Sequence, residues 1–127
     1  MQYGFSKTVA MGFDQAIGRV TEELAKEGFG VLTSIDVKET MKKKLNVDFP
    51  RYTILGACNP PFALQALTAE EELGLLLPCN VIVYEKAGTT RVGFFNPMVM
   101  TTIVGNPQMK PIAEEVERKL RKVMAAL

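Results

Sequence analysis

Residues 52–61, YTILGACNPP, decide the organisation of the chain. The first seven form an apolar run of strand length. The Asn-Pro-Pro that follows predicts an immediate helix start, because proline is well accommodated in the first turn of a helix. A second stretch, residues 75–84, LLLPCNVIVY, predicts a further strand. Each stretch contains a cysteine followed directly by an asparagine, which is the clearest chemical signature in the sequence.

The rest of the chain alternates between strand-like and helix-like segments. Strands are predicted at residues 1–9, 29–35, 52–58, 78–84 and 90–95, and helices at 12–28, 36–45, 61–67, 97–104 and 107–125. Residues 86–89, KAGT, predict a hairpin turn, which makes the last two strands antiparallel. We therefore predict a single domain, residues 1–127, with an α+β fold: a mainly antiparallel sheet of about five strands with helices packed on one face.

The second helix carries both a capping signal and an apolar stripe. Asp36 is predicted to cap its start, as an acidic variant of the capping box. Met41 and Leu45 are spaced to lie on one side of the helix, so we expect them to be its buried residues.

Composition limits the possible functions. At 127 residues, with 47% hydrophobic and 23% charged residues, the chain is ordinary for a globular domain. Lys and Arg number 15 and Asp and Glu 14, so a net charge of +1 offers no field that would attract nucleic acid. No apolar run is long enough to span a bilayer, and the first residues lack the pattern of a signal peptide. We expect a cytoplasmic protein without nucleic-acid or membrane partners.

Histidine and tryptophan are both absent. Without histidine the chain has no Ser-His or Cys-His catalytic pair and no histidine-bearing zinc site. Two cysteines cannot form a four-thiolate zinc site in one chain, although two subunits could supply four, and we predict no metal site of this kind within a chain. Acid–base chemistry would have to rely on Glu70, Glu71, Glu72 or Asp48, and no spacing pairs them with a catalytic partner. This possibility ranks last, and whether the chain is an enzyme stays open.

Cys58 and Cys79 are the candidate reactive residues. Cys58 comes one residue before a predicted helix start, which favours a reactive thiol, although free cysteines more often pack as small apolar side chains. If the third and fourth strands are antiparallel neighbours, the two cysteines lie close together, with Asn59 and Asn80 beside them. Two convergent thiols could bind a soft metal such as Cu(I) or cycle through a disulfide.

The asparagines have different expected roles. Asn59 is predicted to cap the third helix with its side chain, and the same Asn-Pro pair recurs at Asn96 and Asn106 ahead of helix-like runs. Asn80 lies inside an apolar strand, where its amide must find a partner. Asn80 is therefore the best single candidate for a polar network or a ligand contact.

Both faces of the third and fourth strands are apolar. Ile54 and Leu55 point to opposite faces of one strand, and Val81 and Ile82 to opposite faces of the other. One layer of helices can cover only one face. We therefore expect the second face to be covered by another copy of the chain, in a homodimer.

Several blocks resemble the bacterial and archaeal domain-of-unknown-function family numbered 302. They are residues 28–33 (GFGVLT), 35–37 (IDV), 52–61 (YTILGACNPP), 72–81 (ELGLLLPCNV) and 104–107 (VGNP). The resemblance spans essentially the whole chain. It implies a compact fold grouped with TATA-binding-protein-like sheets, commonly seen as homodimers. It implies neither DNA binding nor a particular activity.

Two functional hypotheses follow. The first is a homodimeric module that binds a small-molecule ligand or a partner near Cys58, Asn59, Cys79 and Asn80, because unusual polar residues concentrate there in an apolar stretch. The alternative is a thiol-dependent redox or Cu(I)-binding protein that uses the two cysteines. No cofactor is identified by the sequence.

Overall fold

The computed structural model describes residues 2–127 as one five-stranded sheet flanked by helices. The strands are β1 (Gly4–Val9), β2 (Gly30–Asp36), β3 (Tyr52–Cys58), β4 (Cys79–Lys86) and β5 (Thr89–Phe95). The helices are α1 (Phe13–Lys26), α2 (Val37–Leu45), α3 (Pro60–Ala69), α4 (Val99–Val104) and α5 (Met109–Ala125), with a 3₁₀ helix at Glu71–Leu76. Met1, which the sequence prediction placed in the first strand, lies outside the described residues.

The sheet has the order β1-β5-β4-β3-β2, and every neighbouring pair is antiparallel. Strand β3 has the bounds predicted from the sequence. Alternate residues of the central strands pack against α1 and α5 to form the main core. This core includes Leu55, Ala57, Val81, Val83, Val92 and Phe94 from the sheet, and Val20, Leu24, Leu120 and Val123 from the two helices. The predicted α+β fold is therefore confirmed.

A smaller apolar cluster extends the core beyond the end of β3. Ala66 of α3, Leu73 of the 3₁₀ helix, Met100 of α4 and Met109 of α5 pack together there. This cluster holds the four elements beside the sheet, and it forms one side of the cavity described below.

Two helix boundaries follow local signals in the sequence, and the second confirms the predicted cap at Asp36. Helix α1 is followed by Gly28, whose φ of 86° is the left-handed conformation that glycine adopts at low cost. The Oδ1 atom of Asp36 accepts a hydrogen bond of 2.9 Å from the backbone N–H of Glu39, which caps α2. Among residues 2–127, no helix is both long and apolar enough to cross a bilayer.

The prediction of a buried stripe on α2 was wrong. None of its residues is buried, and Leu45 is 66% exposed. The reason is its position: α2 continues directly from β2, which is an edge strand, and it contacts only β2 and β3 closely. Their spacing places Met41 and Leu45 on one side of the helix, but burial also requires another element of the fold to pack against that side.

In the described part of the chain, residues 2–127, the main core lies on one face of the sheet, and the opposite face, the open face, carries no helix layer. Its central residues are Tyr52, Ile54, Asn80, Ile82, Tyr84 and Gly93. Tyr52 and Tyr84 are directly paired across β3 and β4, and their rings stack with centroids 5.3 Å apart. The mixture of aromatic, aliphatic and glycine residues makes this face largely apolar.

Candidate functional site

A cavity of about 300 Å³ lies beside the end of β3 and the start of β4. Its walls come from both strands, from α3, α4 and α5, and from the segment after the 3₁₀ helix. The lining residues are Phe29, Leu32, Cys58, Asn59, Phe62, Ala63, Ala66, Leu67, Gly74, Leu77, Pro78, Cys79, Met100, Ile112 and Val116. No charged residue is among them. This volume is at the lower end of the range typical of small-molecule sites.

The local sequence explains why the cavity forms at this point. Pro60 and Pro61 turn the chain from β3 directly into α3, so the helix begins at the edge of the sheet rather than above it. The chain returns through the 3₁₀ helix and a cis Leu77–Pro78 peptide bond before entering β4. Ala63 and Ala66 are small, so the side of α3 that lines the cavity leaves space unfilled.

The two cysteines line the same cavity. Cys79 lies opposite Ala57 in the β3–β4 ladder, which places it beside the end of β3 where Cys58 lies. Cys79 is buried, at 7% exposed, whereas Cys58 is half-buried, and both are free thiols. Burial, and to a smaller extent the proximity of Cys58, raise the pKa of the Cys79 thiol to about 11. Cys79 is therefore a neutral thiol at physiological pH, and a poor nucleophile.

Asn59 lies at the start of α3 but does not cap it. Its side chain makes no capping hydrogen bond, and its Nδ2 instead donates to the backbone oxygen of Glu27 at 3.1 Å. An N-cap side chain normally accepts from the N–H of the second or third helical residue. Here the second is Pro61, which has no N–H. The predicted side-chain cap is therefore wrong: Pro61 cannot donate, and the N–H of the third residue, Phe62, makes no hydrogen bond to the Asn59 side chain.

Asn80 does not join the other three candidate residues. It pairs with Gly56 in the β3–β4 ladder and is exposed on the open face. Because successive residues of a strand point to opposite faces, the Cys79–Asn80 pair is divided between the cavity and the open face. The structure thus brings Cys58, Asn59 and Cys79 together and separates Asn80 from them.

Asn80 borders a shallow groove of about 570 Å³ on the open face, together with Tyr52, Ile82 and Tyr84. Sequence reasoning missed the two tyrosines. The signal was available, because each lies two residues from an isoleucine on the same strand and therefore on the same face.

Arg91 makes hydrogen bonds to Tyr84 and to two residues of β1 at the side of the groove. Its Nε donates to the hydroxyl of Tyr84 at 3.1 Å, and its two terminal nitrogens donate to Thr8 Oγ1 at 2.7 Å and Ser6 Oγ at 2.9 Å. Gly93 leaves room for Ile82, since a Cβ at that position would lie 3.0 Å from Ile82 Cγ1. The groove is therefore shaped by contacts that tie β1, β5 and β4 together.

The acidic residues do not form a catalytic pair. Glu70 accepts a hydrogen bond of 3.1 Å from Asn106 Nδ2, while Glu71, Glu72 and Asp48 are exposed. Within residues 2–127, no group of three or more His, Cys, Asp or Glu side chains is arranged to hold a metal ion. The two thiols and the thioether of Met100 are the soft-metal ligands that the cavity offers.

The fold and the cavity define a class: an antiparallel α+β domain with an apolar pocket on the helix-covered side of the sheet. The chain belongs to the family described as domain of unknown function DUF302, which it matches over residues 5–127. It is similar to a crystal structure of an uncharacterized conserved DUF302 protein from Bacillus stearothermophilus, with 32% sequence identity and a TM-score of 0.92. The match covers 98% of each chain. No curated protein sequence matches the chain.

Proposed function

We propose that this domain binds a small, mainly apolar ligand in the cavity between β3, β4 and α3. The observation that carries the proposal is the cavity itself: about 300 Å³ with an apolar lining that includes both thiols and no charged side chain. The space is a partly open pocket at the ends of two strands, and concave, mainly apolar pockets of this kind are the usual form of small-molecule sites.

The lining restricts the chemistry of the ligand. Ionised groups would lose their hydration without gaining a charged partner, so charged ligands are disfavoured. Phe29, Phe62 and Met100 offer aromatic and thioether surfaces that pack well against a flat apolar molecule. A bicyclic aromatic molecule is a suitable probe for these properties.

The proposal can be tested with 1-methylnaphthalene as the probe and methyl NMR as the readout. Met100 lines the cavity, whereas Met41 lies on α2 at the margin of the sheet and serves as an internal control. We expect the Met100 methyl signal to shift in a saturable manner while the Met41 signal stays in place. Absence of a shift at Met100, or equal shifts at both methyls, would show that the cavity is not a binding site.

We further propose that the open face packs against a second copy of the chain. Support comes from its apolar residues: Ile54 and Ile82 lie at its centre without helix cover, and Ile35 is 48% exposed. Arg91 on this face already makes three hydrogen bonds, and the net charge of the chain is only +1. Two identical faces can therefore meet without strong charge repulsion.

Sedimentation of the native protein across a concentration series tests the homodimer. We expect a dimer that Ile82→Glu converts to a folded monomer, because the new carboxylate would be buried in the interface without a partner. Leu45→Glu is the control, since Leu45 is exposed on α2 and is not one of the sheet residues of the open face. The proposal is wrong if the native protein sediments as a monomer throughout, or if both variants dissociate it equally.

A second candidate function uses the two thiols. The observation that favours it is that Cys58 and Cys79 line one cavity, close enough for the charge of one to affect the other. Two thiolates could coordinate Cu(I). Alternatively, exchange with a small disulfide such as oxidised glutathione could form a Cys58–Cys79 bond, with the two protons and two electrons passing to two glutathione thiols.

Thiol labelling of the reduced native protein, read by mass spectrometry with and without Cu(I), separates the two functions. Fast labelling of Cys58, with protection of both thiols by copper, would support the thiol function. Labelling only after denaturation, with no copper retained, would exclude it and leave the cysteines as apolar lining of the ligand cavity.

A further inference from the structure

The chain contains three Asn-Pro pairs, and two of them share one hydrogen-bonding arrangement. Asn96 Oδ1 accepts a hydrogen bond of 3.0 Å from the backbone N–H of Met98, two residues later. Asn106 Oδ1 accepts one of 2.9 Å from the backbone N–H of Gln108, again two residues later. In both cases the Nδ2 atom donates to a distant part of the chain. Each of these amides therefore uses both its oxygen and its nitrogen.

The third pair lacks the donor that the others use. The residue two positions after Asn59 is Pro61, which has no N–H to donate. Asn59 Nδ2 still donates to the oxygen of Glu27, which fixes the orientation of the amide. No group in residues 2–127 donates to Asn59 Oδ1, although the residue as a whole is only 8% exposed.

The free oxygen belongs to a residue that lines the cavity. Every fully buried side-chain nitrogen or oxygen in the described part of the chain has a hydrogen-bond partner, so the unpartnered Oδ1 is not fully buried. Asn59 is one of the residues that line the cavity. The other lining residues are almost all apolar, so this oxygen is a strong acceptor in surroundings that offer it few donors.

We propose that Asn59 Oδ1 accepts a hydrogen bond from the ligand, and that the ligand is therefore a neutral apolar molecule bearing one O–H or N–H donor. The inference rests on the proposed binding function and specifies the ligand class. A purely apolar ligand would displace water from Oδ1 without replacing its hydrogen bond. A ligand with a donor regains that bond at a fixed position, because the contact with Glu27 holds the amide plane.

The test compares 1-naphthol with 1-methylnaphthalene, which have similar shapes but differ in the hydroxyl donor. Dissociation constants are measured by NMR titration of the Met100 methyl group. We expect native protein to bind 1-naphthol about tenfold more tightly. Pro61→Ala supplies an N–H at the position that Met98 and Gln108 occupy in the other two pairs. Because this N–H can donate to Asn59 Oδ1 in place of the ligand, the variant should lose most of the preference for 1-naphthol.

Pro60→Ala is the matched control. It makes the same chemical change one residue earlier, where the other two pairs also have proline. Both prolines are exposed, so neither substitution leaves a gap in the core. We expect Pro60→Ala to keep the native preference for 1-naphthol.

The outcomes distinguish the role of Asn59 Oδ1 from the binding function of the cavity. Binding of both probes with equal affinity to native protein would overturn the role of Asn59 Oδ1 and leave the apolar binding function intact. Binding of neither probe would overturn the binding function and this inference with it. Loss of the preference in Pro60→Ala as well as in Pro61→Ala would also refute the assigned role, since only residue 61 can donate in the manner of the other pairs. The comparison of probes on native protein stands even if a variant fails to fold.

Discussion

Filling the cavity from the side of α3 should stabilise the protein and abolish ligand binding. Ala63 is half-buried and lines the cavity, and Ala63→Leu adds three carbon atoms there. Each methylene-sized group removed from water contributes about 0.8 kcal/mol to stability, so three such groups can raise the free energy of unfolding by at most about 2.4 kcal/mol. Because the site is only half-buried, we expect a gain of about 1–2 kcal/mol in the free energy of unfolding. For a chain of this length that corresponds to a rise in Tm of about 4–8 °C.

The same side chain should exclude the probe. A ligand that overlaps three new carbon atoms must force them aside, and overpacking of this kind costs about 1–3 kcal/mol. The affinity for 1-methylnaphthalene should then fall by at least about fivefold. Thermal unfolding and NMR titration on the same sample measure the two effects together.

The control is Ala125→Leu, the same substitution at an exposed position near the end of α5. It should change Tm little and leave the affinity for 1-methylnaphthalene unaltered. The reasoning is refuted if Ala63→Leu binds the probe as native protein does, because the ligand would then lie elsewhere. It is equally refuted if Ala63→Leu lowers Tm markedly, since that result would mean that the space is already filled in solution.

Two further predictions concern stability. The folded-state pKa of Cys79 is about 11, above the ordinary value for a thiol. The buried neutral thiol therefore contributes fully to the free energy of unfolding below the pKa of the unfolded chain, and this contribution is lost as the pH rises through the folded-state pKa. The unfolding free energy should therefore fall by about 1.4 kcal/mol more between pH 7 and about pH 10 in native protein than in Cys79→Ala, measured by urea denaturation; identical slopes would contradict it. Separately, Gly56→Ala should destabilise by about 1–3 kcal/mol, since its Cβ would lie 2.8 Å from Pro78 Cγ. Gly18→Ala, in an open position of α1, should instead stabilise by about 0.8–1 kcal/mol; urea titrations showing equal effects would count against the packing described at Gly56.

The main elements of the fold could be predicted because local signals agreed with the final packing. Strand β3 combines β-branched and aromatic residues with an Asn-Pro-Pro boundary, and the hairpin before β5 has Ala87 and Gly88 with φ values of 52° and 78°. Such signals act within a few residues and need no knowledge of distant contacts. The burial of α2 could not be predicted, because it depends on whether Met41 meets another surface, and the edge position of β2 is a property of the whole sheet.

The candidate site was only partly predictable, because the two Cys-Asn pairs are alike in sequence but not in position. Cys79 and Asn80 both lie within a regular strand, so they must point to opposite faces. Cys58 and Asn59 span the end of a strand, where the chain leaves the alternating pattern, and both line the cavity. The position of each pair relative to the strand end therefore decided which residues would meet, and strand ends are the least certain feature of a sequence-based assignment.

The sheet also separates the two proposed binding surfaces. The cavity lies at the ends of β3 and β4 among the helices, whereas the groove with Tyr52 and Ile82 lies on the open face of the same strands. Gly56 and Asn80 pair directly between them, so a single layer of backbone is shared by both surfaces. Since backbone hydrogen bonds hold that layer rigid, occupation of one face should not alter the geometry of the other. The Ile82→Glu monomer should therefore bind 1-naphthol with native affinity, and a large loss would mean that the partner copy completes the cavity.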